Sequence, residues 1–378
     1  MTDFPSLGLA APLLAALQQA GHRAPTPIQA QAIPPIMAGR DLEGIAQTGT
    51  GKTGAYALPI LHRLLHDDGP LHGRTCRVLI LAPTRELAGQ ICDAIRIYAR
   101  QTGLRATVMV GGLPKQKQAK TVMNGIDILV ATPGRLLDHL SDGAIRLDET
   151  GILVLDEADH MLDLGFIDDV RRIAAHLPEE RQTLLFSATM PPEIALLGRQ
   201  LLHDPVHVAA APAATPAARI DQRVVFVEVQ QKRPLLIELL RRGRMKRTLV
   251  FTRTKQGADA LVAAFDQADI RGAAIHGDKS QPQRDRTLAA FRSGMFPVLV
   301  ATDVAARGID IEGLTHVVNF ELPEVPEAYV HRVGRTARAC ARGIAISLCA
   351  SSERGMLRAI EKLIGARLKV YEGRQVAS

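Results

Sequence analysis

The chain has 378 residues, of which 47% are hydrophobic and 22% charged, so it can bury real cores and, at roughly 150 residues each, should make two domains. No apolar run approaches ~18 residues, and the start Met1-Thr2-Asp3-Phe4 has no basic stretch leading into an apolar one, so neither a membrane span nor a secretory leader is expected. The net charge of +7 is uneven, −3 over residues 1–218 and +10 over residues 219–378, and the basic half points to a polyanionic partner.

In chain order, Leu7–Ala20 reads as a helix leading into the first domain. Gly39–Gly44 reads as a turn feeding a short apolar approach to Ala46-Gln47-Thr48-Gly49-Thr50-Gly51-Lys52-Thr53. Strands are then predicted at Val78–Leu81, Thr107–Val110, Ile128–Val130, Ile152–Leu155 and Thr183–Phe186, with amphipathic stretches such as Arg85–Arg100 and Ile167–His176 between them. Val208–Ala218 carries no charge, no large side chain and two prolines, which suits a linker. The pattern restarts with strands at Thr248–Phe251, Ala273–Ile275, Val298–Val300, His316–Asn319 and Ala345–Leu348. This alternation reads as βαβ units on parallel sheets. The expectation is an α/β protein with a first domain over 1–207, a linker over 208–218 and a second domain over 219–378, with no basic tail after the last element. Cys76, Cys92, Cys340 and Cys349 lack metal-ligand spacing, so free thiols in a reducing cytoplasm are expected. Aromatic residues are scarce and Trp is absent, so nucleic acid would be gripped by its sugar-phosphate backbone, with weak sequence preference.

The chemistry concentrates at two strings. In the first, Gly49 and Gly51 let the backbone approach phosphate oxygens, and the loop amides and following helix N-terminus face the anion. Lys52 reaches the β- and γ-phosphates and the Thr53 hydroxyl can ligate Mg2+. Ala46 stands where the common pattern has its first Gly. In the second, Asp156 and Glu157 end a strand at the edge where open parallel sheets bind ligands. Asp156 is assigned to Mg2+, mostly through water, and Glu157 to orienting and deprotonating the attacking water.

The string Asp156-Glu157-Ala158-Asp159 occurs together with Pro83-Thr84-Arg85-Glu86-Leu87, Gly111-Gly112, Thr132-Pro133-Gly134-Arg135, Ser187-Ala188-Thr189 and His331-Arg332-Val333-Gly334-Arg335-Thr336-Ala337-Arg338. In this order they resemble the DEAD-box RNA helicases of superfamily two over nearly the whole chain, and most resemble the bacterial minimal-core branch. The resemblance implies two tandem RecA-like domains and an ATP site completed from both. It makes Gln29 the reader of adenine, a carboxamide matching the paired donor and acceptor of that base. Phe4 takes the family's isolated upstream aromatic position at the nucleotide site, His22 stands where the family has Tyr or Phe and can still stack with less area, and Thr48, Gly49, Thr50, Gly51, Lys52 and Thr53 cradle the phosphates. Arg335 and Arg338 become arginine fingers on the γ-phosphate, His331 a link between the ATP and RNA sites, and Asp310 a ribose contact. RNA contacts map to Pro83, Thr84, Arg85, Gly112, Thr132, Pro133, Gly134 and Arg135 in the first domain. In the second they map to Arg253, Gly277, Gln281, Arg284, Thr302, Asp303 and Gly308. Ser187 and Thr189 couple closure to strand separation. Ala337 departs from the family's Gly, and Cys340-Ala341 from its Gly and basic residue; a Cβ at a positive-φ position would strain the fingers.

The mechanism implied is RNA-stimulated ATP hydrolysis coupled to domain closure and to local, non-processive unwinding of short duplexes, by a monomer. An ATP-gated RNA clamp that releases no strand uses the same residues and stays open as the alternative, as does a DNA translocase.

Overall fold

The computed structural model describes residues 3–47, 49–67, 69–209, 220–242, 245–306, 313–336 and 343–371, with the backbone alone at 281, 304 and 327. Thr48, Gly308, Asp310, Arg338, the departures Ala337, Cys340 and Ala341, and residues 210–218 of the expected linker lie outside the described residues, as does the Gln281 side chain. The chain divides into two compact units, Met1–Ala213 and Ala214–Ser378.

The first unit holds β1 (Leu42–Ile45), β2 (Cys76–Leu81), β3 (Ala106–Met109), β4 (Ile126–Ala131), β5 (Ile152–Leu155), β6 (Gln182–Ser187) and β7 (Val206–Ala209). Their spatial order is β3-β4-β2-β5-β6-β1-β7, and every pairing is parallel. Strands β4, β5 and β6 are buried along their whole length, as expected of strands covered on both faces. Successive side chains go to opposite cores. Val78, Ile80, Ile128, Val130, Val154, Leu184 and Phe186 pack on one face, and Leu79, Leu81, Leu129, Leu153, Leu155 and Leu185 on the other.

The second unit repeats the plan with β8 (Ile220–Phe226), β9 (Thr248–Thr252), β10 (Gly272–Ile275), β11 (Val298–Thr302), β12 (His316–Asn319), β13 (Gly343–Cys349) and β14 (Lys369–Val370). The order is β10-β11-β9-β12-β13-β8-β14, again all parallel. The predicted strands at Ile152–Leu155 and His316–Asn319 have the observed limits, and the others differ by a residue or two at their ends.

Three expectations need correction. Leu7–Ala20 is not one helix: a 3-10 turn at Pro5–Leu7 ends at Gly8, whose φ of 75° is left-handed, and the α-helix runs only over Ala11–Gln19. Pro12 explains the break, because inside a longer helix it would lose a backbone hydrogen bond and clash with the preceding turn, whereas in the first turn it does neither. Val208 and Ala209 belong to the edge strand β7, with Val208 packed into the core, and not to the linker. Residues 42–44 of the expected turn and apolar approach are strand β1. Gly44 belongs there because a Cβ would sit 2.6 Å from the Phe186 ring. Strand β8 was not anticipated either, since Asp221-Gln222-Arg223 hides its alternation.

Candidate nucleotide and RNA sites

The strand order of the first unit decides which motifs meet. All its strands are parallel, so the loops after them share one edge. Along that edge run Gly111-Gly112 after β3, Thr132-Pro133-Gly134-Arg135 after β4, Pro83-Thr84-Arg85 after β2, Asp156-Glu157 after β5, Ser187-Ala188-Thr189 after β6 and the phosphate loop after β1. The phosphate loop and the paired acids are thus separated by a single strand, although about a hundred residues lie between them in sequence.

The helix Lys52–Leu64 begins at Gly51, whose φ of 93° suits only glycine and whose Cβ would lie 2.7 Å from Gln29 Nε2. The buried Lys52 Nζ donates to Ala46 O at 2.9 Å, and the Thr50 hydroxyl donates to Gln47 O at 2.7 Å. Gln29 is buried and tied to this loop. Its Oε1 accepts from Thr26 N at 2.9 Å and its Nε2 donates to Gly51 O at 3.1 Å, which leaves one lone pair and one hydrogen for a ligand. His22 is exposed, with its ring 6.1 Å from that of Tyr98. Phe4 is 4% exposed and packs in the main core.

Asp156 is almost wholly buried. The Tyr56 hydroxyl donates to its Oδ2 at 2.8 Å, while its Oδ1 has no hydrogen-bond partner. Thr53 lies three residues before Tyr56 on the same helix, a spacing that shares a face, so it stands on the side that reaches Asp156. Burial and the Asp156 charge push the Tyr56 phenol well above its usual range. Tyr56 escaped the sequence reading, yet it lies one helical turn after Lys52, at the spacing that shares a face. An orphaned carboxylate oxygen beside a threonine hydroxyl is a donor set for a hard divalent cation such as Mg2+. Among the described residues no group of three or more His, Cys, Asp or Glu could hold a metal ion.

Burial raises the Asp156 carboxyl from 3.8 to about 6; the Lys52 ammonium pulls it down and the Glu157 carboxylate pushes it up. A carboxyl raised in this way stabilises the fold below its unfolded value of 3.8, and that contribution is lost as pH rises through about 6. Above that, the ionised group opposes folding by an amount on the order of 3 kcal/mol. Asp156→Asn should therefore raise Tm at alkaline pH by roughly 6–12 °C while abolishing ATP hydrolysis. An unchanged or lower Tm in a melting curve at that pH would contradict a strained carboxylate.

Glu157 has φ 53° and ψ 54°, a left-handed conformation unusual for a residue with a side chain. It is buried, and its Oε2 lies 3.3 Å from His160 Nδ1. Asp159 is the tie to β6. Its Oδ2 accepts from both Thr189 N and Thr189 Oγ1 at 2.9 Å, and its N donates to Ser187 Oγ at 3.1 Å. Ser187 and Thr189, expected to couple closure to strand separation, are thus both bonded to Asp159, two residues beyond Glu157.

At the other half of the edge, Thr84 caps the helix Arg85–Tyr98 by accepting from Leu87 N, and Pro83, Thr132 and Pro133 are buried at their turns. Gly134 is open, and the exposed Gly112 has a left-handed φ of 78°. The Arg85 guanidinium lies against Gly111, where a Cβ would come within 2.9 Å of Nη2. Arg135 Nη1 donates to Leu113 O at 2.9 Å. Gln118, missed in sequence, braces the same loop: its Oε1 accepts from Val110 N at 2.8 Å and its Nε2 donates to Val110 O and Leu113 O.

In the second unit, Gly277, Thr302-Asp303 and Arg253 follow β10, β11 and β9, adjacent strands whose parallel direction again puts them on one edge. Gly277 is exposed and Arg284 half-buried, whereas Thr302 is buried. Both Asp303 oxygens take Arg332, at 2.5 and 2.6 Å. Arg332 is 1% exposed and lies over the Phe251 ring at 5.0 Å. It was not singled out from sequence, though it stands inside the string His331–Arg338. His331 closes the helix Pro326–Val333 and the buried Arg335 follows it, its N bonded to Arg332 O.

A DEAD/DEAH box helicase family model matches residues 26–197, and a helicase conserved C-terminal domain model matches residues 231–340. The DEAD-box ATP-dependent RNA helicase RhpA of Helicobacter pylori is 40% identical over 98% of this chain and 74% of its own length. CshA of Streptococcus pneumoniae, a DEAD-box ATP-dependent RNA helicase, is 43% identical over 97% of this chain and 69% of its own. Among solved structures, Saccharomyces cerevisiae Dbp5 bound to RNA and ADP BeF3 matches with a TM-score of 0.89 at 30% identity, covering 98% of this chain and 96% of that one. With relatives this similar along nearly their full overlap, and with the strand order that brings its motifs to one edge, this chain belongs to the DEAD-box family of ATP-dependent RNA helicases.

Proposed function

We propose that this RNA helicase unwinds short duplexes locally, by closing its two units on ATP and a single RNA strand, and resets by hydrolysis. The carrying observation is the shared edge of the first unit, where Asp159 joins the paired acids to Ser187 and Thr189. A change at the nucleotide can thereby be felt one strand away. Thr53 and Asp156 would hold Mg2+, which when bound screens the charge of the phosphates. The chain's own groups do the rest. Lys52 leaves Ala46 O for the β- and γ-phosphates, Gln29 offers its remaining lone pair and hydrogen to adenine, and Glu157 takes the proton of the attacking water. Arg335 and Arg338 meet the γ-phosphate from the second unit, His331 links that site to RNA and Asp310 holds the ribose. Phe4 supports the base through the core, and His22 faces it from outside.

Pro83, Thr84, Arg85, Gly112, Thr132, Pro133, Gly134 and Arg135 hold one stretch of RNA backbone, and Arg253, Gly277, Gln281, Arg284, Thr302, Asp303 and Gly308 the next. A solved relative with both RNA and ADP BeF3 bound supports simultaneous occupancy of the two sites. ATP and RNA then raise each other's affinity, because each favours the same closed state. Duplex stacking is worth ~1.4 kcal/mol per step, so one closure opens only a few pairs. The enzyme acts as a monomer in the cytoplasm on this reading; no described helix is long and apolar enough to cross a membrane.

The deciding experiment follows ATPase with and without single-stranded RNA beside release of a labelled strand from short and long duplexes. Release of short duplexes only is expected. RNA-stimulated ATPase with no strand release would establish the clamp instead, and stronger stimulation by DNA would overturn the choice of RNA.

A further inference from the structure

Glu353 sits beyond every motif, in the 3-10 turn Ser351–Glu353 that follows β13. It is 7% exposed, and its carboxylate takes four donors. Oε1 accepts from Arg253 Nη2 at 2.8 Å and from Leu322 N at 3.1 Å. Oε2 accepts from Lys232 Nζ at 2.5 Å and from Ala350 N at 2.9 Å. These donors hold the carboxyl below its usual range against the opposing effect of burial, so Glu353 is ionised at neutral pH.

Lys232 is itself 2% exposed, on the helix Val229–Arg241, and its second bond goes to Phe320 O at 2.9 Å. It neutralises Glu353 from the buried side. Arg253 stands on the other side, at the end of β9, with 39% of its side chain exposed. Glu321 faces it too: Oε2 accepts from Arg253 N at 2.7 Å, and Oε1 lies 4.0 Å from Nε. Glu353 therefore fixes the guanidinium through Nη2, while Glu321 holds the backbone it springs from and adds a charge 4.0 Å from Nε. A guanidinium restrained in this way loses less rotamer freedom when it meets a phosphate than a free one would.

We propose that Glu353 is a positioning residue for RNA binding, holding the Arg253 guanidinium in one place to meet the phosphate backbone, with Lys232 as the buried counter-charge that lets it do so. This rests on the reading of Arg253 as an RNA contact. It adds a residue that no motif marks, a hundred positions away in sequence from the arginine it serves.

The test is a double-mutant cycle on the affinity of the full chain for a labelled single-stranded RNA, with a non-hydrolysable ATP analogue present. Arg253→Ala should weaken binding, and Glu353→Gln should weaken it by roughly 2- to 10-fold, the cost of re-ordering one long side chain. The double variant should bind no more weakly than Arg253→Ala alone, because Glu353 acts only through that guanidinium. A merely structural role would lower Tm without this coupling. Should Glu353→Gln alone fail to fold with Lys232 stranded, Lys232→Met with Glu353→Gln removes both buried charges and carries the same cycle. Wild-type or tighter RNA binding by the Glu353 variant, or additive losses in the double, overturns the proposal. No effect of Arg253→Ala by itself refutes the underlying assignment of Arg253 instead.

Discussion

Glu157→Gln is expected to lower ATP turnover by ~10²–10⁴-fold, the usual contribution of a general base, while ATP and RNA still bind. The side chain keeps its shape and can still bond the His160 imidazole, which lies 3.3 Å from it in a buried pocket. What it loses is the ability to take a proton from water. With hydrolysis blocked, the closed state cannot reset, so RNA should dissociate far more slowly in the presence of ATP than without it. Turnover within tenfold of wild type in a steady-state assay would remove Glu157 from the role of base. An equal loss of ATP affinity would mean that the substitution had disturbed the left-handed turn at 157 rather than the chemistry.

Arg335→Ala should cost about 10³-fold or more in turnover, the scale of an arginine finger, with ATP affinity changed by less than about tenfold if the finger acts mainly on the transition state. Lys at this position should not restore the rate, since an ammonium cannot present the forked donors of a guanidinium to a phosphoryl group. Arg335 is 5% exposed, so a melting curve must accompany the kinetics. A variant that melts normally and turns over at more than a tenth of the wild-type rate would leave the second unit without its catalytic part. The two substitutions also differ in kind. The Glu157 variant should accumulate a closed complex with ATP and RNA, whereas the Arg335 variant should close less readily, because a contact that holds the units on the triphosphate is gone.

Much of this site was legible in the residues. The phosphate loop, the paired acids and the string around Arg335 are short, and their chemistry depends on residue type and spacing within one turn or loop. The buried strands β4, β5 and β6 were legible for a related reason: a strand covered on both faces must be apolar throughout. Polar or interrupted strands were not. β1 carries Glu43 and Gly44, and β8 carries Asp221 and Arg223, and each is stabilised by neighbours far away in the chain. Phe4 was matched to an isolated upstream aromatic position, and that it packs into the core was not visible from sequence. The bond of both Asp303 oxygens to Arg332 was likewise invisible in sequence.

By itself, the sequence determined the local chemistry: which loops can cradle phosphate, which strand ends in acids, and that two α/β units are present. Only the tertiary structure decided the order of strands in each sheet, and with it which loops are neighbours. Hydrophobic periodicity reports which face of a strand is buried but not which strand lies beside it, since that depends on how the crossover helices pack. The same holds for the supports. Tyr56 on Asp156 and Glu353 behind Arg253 are hydrogen bonds between residues a hundred positions apart, and Gln118 reaches back under the glycine loop, each made where packing has removed the water that would otherwise satisfy those groups.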